Sequence, residues 1–216
     1  MIFVQALSKP TLFISLLACF CLTFSLIEVR AETPEEWVTL GQRVHGGFGT
    51  YIALGIRIGL DAKQKLKAQA RDLDVTYQDG PNSPCPCIVD GIMIATVATP
   101  GQNSLRVLPS KTNAGLFGVV VIKHKKTGES LRYTIPNSAR VLLDGWNKDK
   151  KGRERYDAVM NAPQESLFQV EELPEKYSIM GLLLPQTMAA SGSNTIQLKE
   201  PSKSLGSMSR GNKKIS

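Results

Sequence analysis

The chain has 216 residues, with 26 Lys and Arg against 19 Asp and Glu, so its formal net charge is +7. Hydrophobic residues make up 42% of it, which is ordinary for a globular protein and excludes a chain that is disordered throughout. Its four cysteines are too few to form the disulfide framework of a small secreted scaffold.

The first 31 residues predict an export signal. An apolar run over residues 11–26 follows Lys9, and Val-Arg-Ala ending at Ala31 puts small residues where a signal peptidase reads. We expect cleavage after Ala31 and a periplasmic or secreted mature protein. One alternative is an uncleaved anchor, since about 18 apolar residues span a bilayer. A lipoprotein modified at Cys19 is the weaker alternative, because an apolar run rather than a polar tether follows that cysteine.

The C-terminal composition predicts a basic, disordered tail over residues 187–216, where Ser, Gly, Lys and Asn dominate. Residues 32–186 then form a single domain. The tail has one acidic residue, Glu200, and five basic ones: Lys199, Lys203, Arg210, Lys213 and Lys214. Because most of the mature chain's net positive charge lies there, the pattern argues against a folded nucleic-acid surface. It favours a solvated tail over one that attracts a membrane surface or anion.

Two helices are predicted at the start of the mature chain. Thr33, followed by Pro and two Glu, has the pattern of an N-cap, and apolar residues then recur at helical spacing as far as Val44. The second helix covers residues 50–70 and is apolar nearly all round in its first half, which indicates a buried helix. Gly55 and Gly59 within it predict close approach to another backbone, because each weakens the helix itself.

The rest of the domain predicts strands with two further helices. Residues 90–99 are ambiguous, and their Gly and Ala content favours a short buried helix over a strand. The remaining predicted elements are strands over 73–78 and 104–110, a hairpin of 116–124 with 130–136, a helix over 151–163 that stops near Asn161, and a closing segment over 165–173. Residues 137–150 have no predicted element.

The two histidines have different settings. His124 lies in a Lys-His-Lys-Lys sequence at the end of a strand, which predicts an exposed surface residue. His45 lies at a helix–Gly–Gly junction directly before the buried helix, where a histidine is either a structural hydrogen-bonding group or a ligand. The adjacent helix N-terminus favours an anion or a neutral imidazole.

Cys85 and Cys87 form a Pro-Cys-Pro-Cys sequence with three interpretations. Two thiolates can bind a soft metal such as zinc or copper(I), but further ligands are needed, for which His45 and Asp90 are the candidates. The pair can instead form a disulfide, whose very short ring would be strained and rather oxidising. The third interpretation is a pair of small buried residues. The sequence has no Gly-rich phosphate loop, nucleophile elbow or HExxH motif.

Taken together, two motifs resemble those of the FmdE family, which is named after a component of formylmethanofuran dehydrogenase. Residues 45–59 (HGGFGTYIALGIRIG) resemble its H-G-H-x-G-P-Y-x-x-L-G-x-R-x-G signature, and residues 87–105 resemble its C-x-x-D-G-I-Q-x-x-T-G-C-T-x-G-K-G-N segment. The resemblance implies an α+β domain with helices packed on a mixed or antiparallel sheet. It also implies a metal site, in which His45, Cys87 and Asp90 occupy the matching positions.

The chain also departs from this pattern. Gly47 replaces the second His of H-G-H, Thr50 replaces the Pro, and Ala98 replaces the Cys of T-G-C-T. Met93 and Gln102 replace a Gln and a Lys. With at least two potential ligands gone, the site is either rebuilt around His45 and the Cys85/Cys87 pair or lost. The namesake complex is a cytoplasmic molybdenum or tungsten enzyme, whereas this chain has an export signal, and the sequence shows no pterin or methanofuran site.

We therefore expect an exported, non-catalytic protein that binds a metal or a small ligand. The expected metal is a transition metal such as zinc, with His45, Cys85 and Cys87 as ligands and Asp90 orienting His45 or completing the site. One alternative is a redox protein or enzyme that uses Cys87 as a thiolate near a helix N-terminus. Another is a structural subunit with a lost metal site that binds a protein partner or a second copy through the apolar residues 179–185.

Overall fold

The computed structural model describes residues 31–174. Its helices are α1 (Pro34–His45), α2 (Thr50–Lys65), α3 (Ile88–Thr96), α4 (Asn137–Asp149), α5 (Gly152–Asn161) and α6 (Gln164–Leu167), with a 3-10 turn at Pro100–Gln102. Its strands are β1 (Leu73–Asp79), β2 (Leu105–Leu108), β3 (Leu116–His124), β4 (Ser130–Pro136) and β5 (Gln169–Leu173). The predicted signal peptide up to residue 30, the apolar residues 179–185 and the predicted tail lie outside the described residues.

The five strands form one mixed sheet in the order β2-β1-β3-β4-β5. β1 and β2 run parallel, as expected for strands joined through a helix, while the other neighbours are antiparallel. The predicted β3–β4 hairpin is present and turns at Gly128, whose φ is 81°. The chain is therefore an α+β domain with helices packed on a mixed sheet, as the sequence predicted.

α1 begins and ends where the sequence indicated. The Thr33 hydroxyl accepts a hydrogen bond from the Glu36 N–H, while the Glu36 carboxylate accepts one from the Thr33 N–H at 2.7 Å. This reciprocal pair is a capping box. At the other end, Gly46 adopts a left-handed φ of 84° and ends the helix directly after His45.

α2 is the central helix, and α3 packs directly against it. Gly55 of α2 faces Gly91 of α3 so closely that a Cβ on Gly55 would lie 2.0 Å from the Ile88 carbonyl oxygen. A Cβ on Gly91 would lie 2.1 Å from the Ile52 carbonyl oxygen. The predicted close approach at Gly55 is thus confirmed, and so is the helical interpretation of α3. On the side of the sheet, the Tyr51 ring stacks on Phe117 of β3 with 5.1 Å between centroids.

Some sequence-based expectations were wrong. The second helix ends at Lys65 rather than residue 70, because the chain turns into β1 and Lys67 adopts a left-handed φ of 51°. α4 occupies residues for which no element was predicted. Within residues 31–174, no helix is both long and apolar enough to cross a membrane.

His124 is buried, not exposed as the sequence suggested, and its side chain closes the β3–β4 turn. Only 5% of the residue is accessible. Its Nδ1 accepts hydrogen bonds from the N–H groups of Lys126 and Thr127, each at 3.2 Å, and its Nε2 lies 3.8 Å from the Asp72 carboxylate. The basic neighbours predicted a solvated residue, but the turn folds their backbone over the imidazole. His124 is thus a structural residue.

Candidate functional site

His45 and Asp90 form the central pair of the candidate site. His45 is the last residue of α1 and Asp90 lies in the first turn of α3, and the His45 Nδ1 lies 2.6 Å from the Asp90 Oδ2. Nδ1 therefore donates its proton to the carboxylate, which leaves Nε2 as the ring nitrogen that can contact a ligand. Each side chain is 34% exposed, so solvent reaches the pair. The predicted orientation of His45 by Asp90 is present.

The two cysteines are joined in a disulfide. Cys87 is the N-cap residue of α3 and Cys85 precedes it in the Pro-rich loop, where the Ser83 hydroxyl donates a hydrogen bond to the Cys85 carbonyl oxygen at 2.9 Å. Both cysteines are half-buried, while Pro84 and Pro86 are exposed. Of the three interpretations of this sequence, the disulfide is the one that the structure contains.

A pocket of about 310 Å³ lies where α1, α2 and α3 begin or end. Gly47, Phe48, Gly49, Tyr51, Ile52 and Asn147 line it together with His45, Cys87 and Arg155. His45 and Cys87 are 42 positions apart in the chain, and the packing of α3 on α2 brings them to the same cavity. The predicted His and Cys positions therefore meet at one site, with Asp90 bound to the histidine.

Asn147 of α4 and Arg155 of α5 hold the glycine-rich loop that forms one wall. The Asn147 Oδ1 accepts a hydrogen bond from the Thr50 N–H at 2.9 Å, at the start of α2. One guanidinium nitrogen of Arg155 donates to the Phe48 carbonyl oxygen at 2.8 Å, and another donates to the Asn147 carbonyl oxygen. Sequence reasoning missed both residues. Each is an ordinary polar residue on a helix, and only the tertiary arrangement gives it this role.

Tyr51 is a fixed part of the pocket wall. Its hydroxyl donates a hydrogen bond to the Asp144 carboxylate, which also pairs with Arg140 at 3.2 Å. Burial, together with the hydrogen bond to Asp144, raises the pKa of Tyr51 well above its ordinary value. The phenol therefore stays protonated at physiological pH, and this tyrosine shapes the pocket rather than supplying a base.

The two positions where the family's ligands are missing differ in their surroundings. Gly47 lies in the pocket wall, and a Cβ there would meet no atom within 4 Å. Ala98 is fully buried in the core and does not line the pocket. A side chain at position 47 would thus have room, whereas position 98 has been absorbed into the packing.

The disulfide form does not suit a metal ion. Both sulfurs are bonded to each other, and a metal ligand must be a thiolate. Over residues 31–174, no group of three or more His, Cys, Asp or Glu side chains is placed to hold a metal ion. Ligation by His45, Cys85, Cys87 and Asp90 therefore stays a prediction, and it applies to the reduced protein.

These features define an α+β domain in which a His–Asp pair and a disulfide flank one pocket. A family model described as "FmdE, Molybdenum formylmethanofuran dehydrogenase operon" matches residues 44–174, which is more than half of the chain. The chain belongs to the FmdE family, as its two motifs suggested.

A solved structure and a search of curated proteins complete the comparison. The structure is that of an FmdE-like protein of tungsten formylmethanofuran dehydrogenase from Syntrophus aciditrophicus. It is 20% identical, and the match covers 66% of this chain and 73% of that one with a TM-score of 0.44. No curated protein matches the chain.

Proposed function

We propose that this chain is an exported, non-catalytic member of the FmdE family that binds a small ligand in the His45 pocket. The observation that carries the proposal is the convergence of His45, Cys87 and Asp90 on one cavity of about 310 Å³. Buried Phe48 and Ile52 provide an apolar wall, while the imidazole provides a polar contact. A few polar groups in a mostly apolar concavity are typical of a ligand site.

In the reduced protein, the same pocket would hold a transition metal such as zinc. Thiolates from Cys85 and Cys87, an imidazole from His45 and a carboxylate from Asp90 are ligand types that zinc accepts. The held ion would supply a positive centre for an anionic ligand. The redox state of the pair would then decide whether the pocket binds metal.

Elemental analysis tests the metal part directly. The mature chain, residues 32–216, is reduced under argon, incubated with Zn²⁺ and desalted, next to a Cys85→Ser/Cys87→Ser variant and an oxidised sample. We expect one zinc per chain only in the reduced wild-type protein. Equal zinc in the double variant, or none in any sample, would refute metal binding by the cysteines.

A gain-of-ligand variant sharpens the test. Gly47→His restores the family's H-G-H sequence at a position with room for a side chain. If the pocket is a metal site, this variant binds zinc more tightly than the wild-type protein. Gly145→His in α4, where a Cβ also meets no atom within 4 Å, does not. Equal affinities would place the metal elsewhere.

Ligand binding and export have separate readouts. A fragment library screened by NMR against the oxidised chain is expected to shift the backbone signals of residues 45–52, and shifts confined to other regions would refute the pocket as the site. Export is tested by the N-terminal sequence of the protein recovered from its native cells, which should begin at Glu32. An intact Met1 would refute cleavage.

A further inference from the structure

The Cys85–Cys87 disulfide is placed to react rather than to stabilise. It links two positions in the chain that are two apart, so it closes a very small loop. The stabilisation that a disulfide gives through chain entropy is smallest for the shortest loops. Disulfides that are strained or accessible are the more oxidising and labile ones. This one joins half-buried sulfurs between two exposed prolines.

The surroundings of Cys87 favour a thiolate leaving group. Cys87 is the N-cap of α3, a helix of nine residues, and its side chain makes no capping hydrogen bond in the disulfide state. The positive end of a helix dipole stabilises a thiolate at this position. Cys87 is also the cysteine of the pair that lines the pocket.

We infer that this disulfide is a redox-active site that oxidises a small dithiol held in the pocket. This inference deepens the ligand-binding proposal, on which it rests for the pocket, and names the substrate class. The cavity of about 310 Å³ suits a small molecule, and its wall includes the reacting cysteine. The pocket would raise the rate by holding the thiol next to the sulfur.

The exchange balances as two steps. One thiolate of the dithiol attacks the Cys87 sulfur, the Cys85–Cys87 bond breaks, and Cys85 leaves as a thiolate that takes a proton from solvent. The second thiolate of the dithiol then attacks its own sulfur in the mixed disulfide, and Cys87 leaves at the α3 N-terminus. The dithiol loses two electrons and two protons and becomes a disulfide, and the cysteine pair gains both.

The first experiment compares the protein with a peptide of the same local sequence. The oxidised mature chain and a synthetic peptide of residues 82–90 with the same disulfide are each reduced by dithiothreitol under pseudo-first-order conditions. Alkylation and mass spectrometry then count the free thiols. We expect the protein to react about tenfold faster or more, because the pocket and the helix terminus act only in the folded chain. A rate equal to that of the peptide, or lower, would overturn the inference.

Single-cysteine variants test which sulfur reacts. In Cys85→Ser the thiol of Cys87 remains, and in Cys87→Ser that of Cys85 remains. We expect Cys85→Ser to form a mixed disulfide with an aromatic disulfide reagent about tenfold faster than Cys87→Ser at pH 7. Equal rates, or a faster Cys85, would overturn the assignment of Cys87.

A pocket-filling variant separates the inference from the proposed function. Gly47→Leu fills the cavity without touching the disulfide, and Gly145→Leu on α4 is the matched control. We expect slower reduction by dithiothreitol in the first variant alone. If NMR shows ligands in the pocket but reduction is unchanged by Gly47→Leu, only the redox inference fails. If neither occurs, the pocket itself is not a site.

Discussion

Replacing Gly91 by Ala tests the packing that brings His45 to Asp90. The new Cβ would lie 2.1 Å from the Ile52 carbonyl oxygen and 2.8 Å from the Ile56 nitrogen, where ordinary contacts are 3.4–4 Å. Both atoms belong to the α2 backbone, so no side-chain rotation relieves the overlap, and the two helices must separate by about 1 Å.

The magnitude follows from two opposing terms. Alanine is favoured over glycine in a helix interior by about 1 kcal/mol. Overpacking costs about 1–3 kcal/mol, and a rigid backbone contact belongs at the upper end of that range. We therefore expect Gly91→Ala to lower the free energy of unfolding by about 2 kcal/mol, and Tm by about 4–8 °C for a domain of this size.

Urea denaturation of the mature chain, followed by circular dichroism, measures this change. Gly145→Ala is the control, because it makes the same substitution inside α4, where a Cβ would meet nothing within 4 Å. That variant should be as stable as the wild type or more stable by up to about 1 kcal/mol. The reasoning would be wrong if Gly91→Ala were as stable as the wild type, or if both variants shifted in the same direction.

Three further predictions concern buried polar groups. Burial, followed by a hydrogen bond to a carboxylate, raises the pKa of Tyr51, Tyr77 and Tyr133 above the unfolded value of about 10. Their contribution to stability is therefore full below pH 10 and declines as the pH rises further; in a 295 nm titration these phenols should ionise only as the circular dichroism is lost, and ionisation of a still-folded chain would contradict the assignment. His124→Ala should lower the free energy of unfolding by about 1–3 kcal/mol, because two N–H groups lose their acceptor, whereas a change within about 0.5 kcal/mol in urea denaturation would mean a surface residue. Arg57 donates to two carbonyl oxygens at the end of α5, at 2.6 and 2.7 Å, so Arg57→Met should destabilise by about 1.5–3 kcal/mol and Arg57→Lys should not restore full stability; a Lys variant with wild-type Tm would contradict the need for a forked donor.

The predictable part of the fold carried its information locally. The capping pattern at Thr33 and the alternation of the hairpin strands act within a few residues, and the structure has both. Helix α4 was missed because its signal is mixed. Ala139 and Leu143 face the core at helical spacing, but Val141, which is 73% exposed, adds an apolar residue on the solvent side. An interior glycine weakens the pattern further.

The candidate site was predictable only in part, for the same reason. His45, Cys87 and Asp90 came from motif positions, and the structure places them around one pocket. Asn147 and Arg155 have no motif of their own, since their partners are backbone atoms of the loop before α2. The burial of His124 likewise depends on how the turn folds over it, which the run of basic residues did not indicate.

The hold that α4 and α5 have on residues 46–50 also sets an order of assembly. Domains are synthesised from the N-terminus, so the His45–Asp90 pair and both cysteines leave the ribosome before Asn147 and Arg155 do. A nascent chain that stops before α4 has the reactive groups but lacks the clamps on the loop that walls the pocket. Selective chemistry at the cysteines thus becomes available only when the domain is nearly complete, which protects an unfinished chain from premature reaction within its own cavity.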